Sequence, residues 1–252
     1  MKNLMVYISP TGSFDNPRPD LCNDAGLSVK VQLENSTQLG WAKEDILLVT
    51  NFTYEYGGIK AIVLEDVDFF ERKPQASKIN AIVKLFEKGL IKDGQLYWFH
   101  DLDAFQLIPI TESELELEKV DMGLADYGRS SRWNTASIFF KASSQDIFSK
   151  IKEIMYRDNI DEERALGALT QNEDISQRVK KINNTYNFVA PNLRKGYKRA
   201  VKPLRVAHFH PLGTVSSTEP QKAFDFFKGE NKLKTPLITE RLMKIFNYHR
   251  IK

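Results

Sequence analysis

The apolar positions fall into short strand-like blocks, with one pronounced helical stripe between them. Residues 3–9 (NLMVYIS) form a compact apolar run that stops at Pro10-Thr11-Gly12, which predicts a strand closed by a turn. Residues 46–50 (ILLVT) predict a second strand of the buried type with Asn51 at its end, and residues 59–64 (IKAIVL) a third, broken by Glu65-Asp66-Val67-Asp68. The stretch joining the first two strands reads as a loop. Over residues 75–91, Ile79, Ile82, Val83, Phe86 and Leu90 recur at helical spacing, which predicts an amphipathic helix. Gly94 resets the chain before a strand at 95–99 (QLYWF). The order strand, loop, strand, strand, helix, strand predicts an α/β sheet with short connections.

Further along, the acidic segment Thr111–Glu118 reads as an exposed loop or edge, and residues 136–140 (ASIFF) as another strand. Residues 144–156 predict a helix with Ser144 as N-cap, and Asp161 is placed to cap a helix through EERALGALTQ. Pro191, Gly196, Pro203, Pro211 and Gly213 break residues 182–217 into strands and loops, and the polar tail holds one helical piece near Glu240–Asn247. With no repeat and no clear linker, the expectation is one domain over residues 1–218 with an extension, 219–252, packed on it.

Composition adds exclusions. Cys22 is the sole cysteine, so no intrachain disulfide and no Cys-based zinc cluster can form. No apolar run approaches the ~20 residues that span a bilayer. The N-terminus reads as a strand rather than a signal peptide, which makes the cytoplasm (a host's, if the chain is viral) the expected compartment. The net charge of +3 hides an asymmetry: residues 1–126 carry 12 Lys/Arg against 21 Asp/Glu, and residues 127–252 carry 24 against 12. Between Asp174 and Glu219 there are nine cations and no carboxylate: Arg178, Lys180, Lys181, Arg194, Lys195, Lys198, Arg199, Lys202 and Arg205. Such a block is expected either to face a polyanion or diphosphate, or to be a solvated surface balanced by the acidic half.

The most informative motif is Asp101-Leu102-Asp103, directly after the strand QLYWF. Carboxylates at the carboxyl end of an α/β strand sit where such folds bind ligands, and a hard divalent cation wants oxygen donors. Asp66–Asp68 and Glu116–Glu118 share the spacing, so the apolar strand before the pair and Ala104-Phe105 after it single it out; a capped turn with exposed acids is the bland reading. His208 and His210 lie two apart, on one side of a strand, and imidazole is a ligand for Mn²⁺ or Zn²⁺. A packed, hydrogen-bonded histidine is the alternative. Asp161-Glu162-Glu163 opens a helix, where a carboxylate either orients an acceptor hydroxyl or simply caps. No Walker loop, GxGxxG, GxSxG or HExxH occurs.

Taken together, these pieces resemble nucleotide-sugar glycosyltransferases of the GT-A fold, closest to the glycogenin and galactosyltransferase-like group. The landmarks run in that family's order: the turn Ser9-Pro10-Thr11 after the first strand, a helix with Ser77-Lys78-Ile79, YWFHDLDAF, Arg132-Trp133-Asn134-Thr135-Ala136, Asp161-Glu162 before Ala165-Leu166, then Lys202-Pro203 and His208-Phe209. Ala136 stands where the family usually has Gly, and His210-Pro211 replaces its His-x-x-Gly spacing. The resemblance implies a Rossmann-like mixed sheet flanked by helices and a metal-dependent transfer from a UDP-sugar to a hydroxyl, with retention. It implies that Asp101, Asp103 and His208 or His210 hold Mn²⁺ (or Mg²⁺). Ser9, Pro10, Thr11, Asn51, Lys78 and Asp101 would bind the sugar nucleotide, Asp161 and Glu162 would act at the reaction centre, and Trp133 and Asn134 would meet the acceptor. The cationic block also allows DNA with hydroxymethylated pyrimidines as acceptor. A non-catalytic nucleic-acid-binding protein and a metal-dependent nucleotidyltransferase are the competing expectations.

Overall fold

The computed structural model describes residues 1–14, 25–127, 132–189, 198–208 and Lys244. Along the chain run β1 (Lys2–Tyr7), α1 (Ala25–Gln38), β2 (Ile46–Thr50), β3 (Glu55–Tyr56), β4 (Ile59–Lys60), β5 (Ile62–Val63), α2 (Ser77–Glu87), β6 (Tyr97–His100), β7 (Ala104–Gln106) and β8 (Met122–Asp126). There follow β9 (Trp133–Phe140), α3 (Gln145–Asp158), α4 (Glu162–Leu169), α5 (Glu173–Ser176), β10 (Val179–Lys181), β11 (Phe188–Val189) and β12 (Val206–His208). Seven strands form one mixed sheet in the order β10-β8-β9-β6-β1-β2-β5, in which only β9 runs against its neighbours. A second sheet, β11-β12-β7, stands beside it.

The central strands are buried at most positions because both faces of the sheet are covered. Leu4, Tyr97, Phe99, Ile138 and Phe140 point to one face and pack with Ile82, Phe86, Phe148 and Ile151 of α2 and α3. Their alternates point the other way: Met5 meets Val29 and Leu33 of α1, while Trp98 and Phe139 meet Tyr186 and Val206.

α1 occupies residues expected to be loop. Its buried side includes Ser28, Gln32, Asn35 and Ser36 as well as Val29 and Leu33, so no apolar stripe marks it. The polar members are satisfied: Gln32 donates to the carbonyls of Leu102 and Ala104, Asn35 to that of Gln106, and Asn3 to the Ser36 hydroxyl. α2 ends at Glu87, short of Leu90, because Gly89 takes φ 61° and the Leu90 amide folds back to the Leu85 carbonyl. Residues 59–64 split into β4 and β5, two short pairings in different sheets. Ser144 precedes α3 as expected but does not cap it, since its hydroxyl donates to the Lys141 carbonyl through a preceding 3₁₀ turn. The segment 111–118 is not wholly exposed, as Leu115 and Leu117 are buried.

Among the described residues, four of the block's nine cations pair with acids of segments 114–146. Arg178 grips both oxygens of Asp146 at 2.7 and 2.8 Å and Asp121 at 2.6 Å. Lys180 pairs with Glu116, Lys181 with Asp126 and Arg205 with Glu114. Cys22, Arg194, Lys195, His210, the helical piece near Glu240–Asn247 (Lys244 apart) and the extension 219–252 lie outside the described residues. Among the described residues, no helix is long and apolar enough to cross a membrane.

Candidate active site

β6 delivers Asp101 to the carboxyl edge of the sheet, where the Asp101 amide still bonds the Ala136 carbonyl of β9. The Ala104 amide then closes a turn onto the Asp101 carbonyl at 3.0 Å and launches β7 into the second sheet. There β12 pairs with β7 so that His208 stands opposite Ala104, the neighbour of Asp103. Register therefore brings ligands far apart in sequence together. Asp101, Asp103 and His208 each offer a donor atom within 4.8 Å of the other two, and His208 Nε2 lies 3.4 Å from Asp103 Oδ1.

Lys78, on the first turn of α2, lies beneath this cluster. Its buried Nζ sits 3.0 and 3.1 Å from the Asp101 oxygens and 3.1 Å from Glu162 Oε1, and reaches the Thr135 carbonyl at 3.3 Å. Burial opposes its charge, but Asp101 and Glu162 more than offset that and hold its pKa above the ordinary lysine value. Burial pushes the Asp101 carboxyl up to about 6, and Asp103 adds to the rise. For His208, burial works against the charge while Asp103 and Asp101 raise its pKa overall. Glu162 is buried too, yet Lys78 and the Thr135 hydroxyl at 2.9 Å hold it below the usual glutamate range.

Asp161 caps α4 as expected, its Oδ1 accepting from the Arg164 amide at 2.8 Å, which also fixes Glu162 and Glu163 in the first turn. Glu163 accepts from the Tyr127 hydroxyl at 2.7 Å and pairs with Arg132 at 2.7 Å. All these groups line one cleft of about 220 Å³ with Gln75, Asn134 and Ala136. Asn134 is fully buried, its Oδ1 accepting from the Ala136 amide. Its Nδ2 and Glu162 Oε2 are buried with no hydrogen-bond partner among the described residues. Gln75 and Tyr127 join the site without having been singled out, while Glu163 and Arg132, read as parts of the acidic helix start and of the acceptor-strand landmark, lie in the same lining. Tyr127 follows β8 and Arg132 precedes β9, and pairing of the two strands brings them together, the Tyr127 amide donating to the Arg132 carbonyl at 3.3 Å.

The residues expected to hold the sugar nucleotide divide. Asp101 and Lys78 line the cleft, whereas Ser9, Pro10, Thr11 and Asn51 follow β1 and β2 on the same sheet edge, outside its lining. Asn51 braces the turn after β1: its side-chain amide donates to the Ser9 carbonyl at 2.7 Å and accepts from the Ser9 amide at 2.9 Å. Ser9 is buried, its hydroxyl accepting from the Thr11 and Ser13 amides, which leaves Pro10 and Thr11 as the exposed part of the turn. Trp133 is half-buried and donates to the Thr170 hydroxyl at 3.0 Å. Of the histidine pair, His208 is at the site. His100 is buried under the sheet edge against Asn3, where burial lowers its pKa to about 4.

No family model matches the chain, and no curated protein matches it. Solved structures do. The galactosyltransferase LgtC, crystallised with donor and acceptor sugar analogues, superposes over 91% of this chain and 96% of its own at 14% identity and a TM-score of 0.57. A glycosyltransferase involved in glycosylating the major capsid of PBCV-1 covers 88% and 99% at 11% identity and 0.58. The glycosyltransferase GlyE of Streptococcus pneumoniae TIGR4 covers 97% of this chain and 64% of its own at 10% identity and 0.54. At such identities the likeness fixes architecture: the chain has the GT-A fold found in glycosyltransferases.

Proposed function

We propose that the protein is a metal-dependent glycosyltransferase that moves a sugar from a nucleotide diphosphate sugar, UDP-linked by preference, to a hydroxyl acceptor. The observation carrying this is the convergence of Asp101, Asp103 and His208 within 4.8 Å on the carboxyl edge of a GT-A sheet, next to the buried Lys78–Glu162 pair. Two carboxylates and an imidazole suit Mn²⁺, with Mg²⁺ second. When bound there, such an ion supplies charge neutralisation for a leaving diphosphate.

The protein's own groups do the rest. Lys78 favours the ionised forms of Asp101 and Glu162 and fixes their position. Glu162 Oε2 and Asn134 Nδ2, buried without partners among the described residues, offer an acceptor and a donor to sugar hydroxyls. Asp161 shapes the same wall by holding the first turn of α4. The exposed turn at Pro10 and Thr11, braced by Asn51 through Ser9, is the proposed seat of base and ribose. In the transfer the C1–O bond to the diphosphate breaks with its electron pair leaving on the diphosphate. The acceptor oxygen bonds C1, and its proton passes to a phosphate oxygen. Retention of configuration belongs to this reading, supported by the glycogenin-like order of landmarks.

Thermal melting with a panel of nucleoside diphosphates, with and without Mn²⁺, tests it. A UDP shift that requires Mn²⁺ and is lost in Asp103→Asn is expected; absence of a shift with every nucleotide overturns the reading.

A further inference from the structure

A second cleft, of about 450 Å³, shares Arg132 and Glu163 with the first and continues along α4 past Trp133, Gly167, Thr170 and Gln171. Its volume falls within the ~300–1,000 Å³ of small-molecule sites. The indole nitrogen of Trp133 is already committed to the Thr170 hydroxyl, so what this side chain has left to offer the cleft is its carbon surface. Thr170 is itself anchored to the Leu166 carbonyl at 2.9 Å, which holds the ring against α4.

Gly167 is the telling residue. It lies in the interior of α4, where glycine is less favourable than alanine. A Cβ built on it meets nothing within 4 Å, so no packing constraint demands glycine. The space that a side chain would fill is the cleft.

The charges argue for a neutral ligand. Arg132 is paired with Glu163 at 2.7 Å and Asp161 at 3.4 Å, and Arg164 lies 3.6 Å from Asp161, so two cations face two anions. A polyanion would have to break these pairs. An aromatic surface beside a planar amide, a carboxylate and a guanidinium instead matches a sugar ring, which has an apolar face and a rim of hydroxyls.

We propose that this second cleft is the acceptor subsite and that the acceptor is a neutral saccharide, one ring of which lies along Trp133 over Gly167. The assignment rests on the glycosyltransferase reading, and the experiment separates the two. Wild type, Gly167→Ala and Gly167→Phe are incubated with Mn²⁺ and each of UDP-glucose, UDP-galactose and UDP-xylose. Donor hydrolysis by water is followed alone, and transfer is followed to a panel of methyl monosaccharide and disaccharide glycosides and to hydroxymethylcytosine duplex DNA. One donor is expected to be hydrolysed at rates within twofold in all three proteins. Transfer to a glycoside is expected to fall at least tenfold in kcat/KM in Gly167→Phe and to persist in Gly167→Ala. Transfer to DNA and to no glycoside, or a Gly167→Phe protein that transfers within twofold of wild type, overturns the subsite while leaving the glycosyltransferase reading intact. A wild type that hydrolyses no donor removes both. Gly167→Phe deletes no contact, and a melting temperature matching Gly167→Ala confirms that any loss of transfer arises from the filled cleft.

Discussion

Lys78 is a buried cation paired with two carboxylates, Asp101 and Glu162, and the electrostatics of the site turn on it. Replacing it with Met leaves Asp101 and Glu162 unneutralised; breaking a buried pair in this way costs about 3–5 kcal/mol, to be read from urea unfolding at pH 7.5. The titrating groups set a pH dependence. Asp101 is held up at about 6 against an ordinary 3.8, so in that interval the folded chain keeps a proton that the unfolded chain releases. Without metal, stability therefore declines as pH rises through it. His208, raised above 6.5, contributes stability that is present below that value and lost as pH climbs through its folded one. Metal binding needs both groups deprotonated and runs the other way. The melting temperature in EDTA should thus fall from pH 5 to 8 while the increment due to Mn²⁺ grows; an increment independent of pH would remove these groups from the metal site. At this scale the sequence was informative where chemistry is local. Asp101 and Asp103 are legible because an aromatic strand runs into them, whereas Glu163 is legible only as one of three acids at a helix start, and its link to Tyr127 and Arg132 shows only in the folded chain.

Among the elements, α4 joins both clefts, and its start and middle answer to different tests. Asp161 is at once its N-cap and a wall of the reaction cleft. Asp161→Ala should cost about 1 kcal/mol, whereas Asp161→Asn, which caps equally well, should retain that stability. A loss of transfer in the Asn variant then reports the charge alone. Gly167→Ala should raise stability by roughly 0.5–1 kcal/mol in thermal melts, since nothing blocks the added methyl. β1, β2, β6, most of β9 and the helices α2 and α3 were readable from apolar spacing because their buried faces are largely apolar, whereas β7, β8 and β10 were not anticipated. α1 was not, because it buries Gln32 and Asn35 to satisfy carbonyls of the strand and turn that carry the motif. A helix selected to serve backbone hydrogen bonds hides its periodicity. His208 was readable as a residue type, but its partnership with Asp103 depends on strand register, which nothing local specifies.

Across the whole molecule, the charge asymmetry is an internal match more than an outward signal. Acidic segments at 114–146 meet Arg178, Lys180, Lys181 and Arg205, so among the described residues much of the cationic block is neutralised on the protein itself. Arg178 is the strongest of these links, with a bidentate grip on Asp146 that an ammonium cannot reproduce, and Arg178→Lys should destabilise by about 1 kcal/mol, less at high salt. These links hold the far edge of the sheet; its middle is held by β9, the lone antiparallel strand, buried along nearly all its length and bonded on both sides. Asn134, Thr135 and Ala136 of the reaction cleft are part of that strand. They cross the irregularity in its pairing with β8, and the amides of Thr135 and Ala136 reach the side chains of Glu163 and Asn134 instead of a neighbouring strand, so these protons should exchange with deuterated water sooner than those of residues 138–140, which pair on both sides, and the floor of the cleft can open locally while the rest of the strand stays shut.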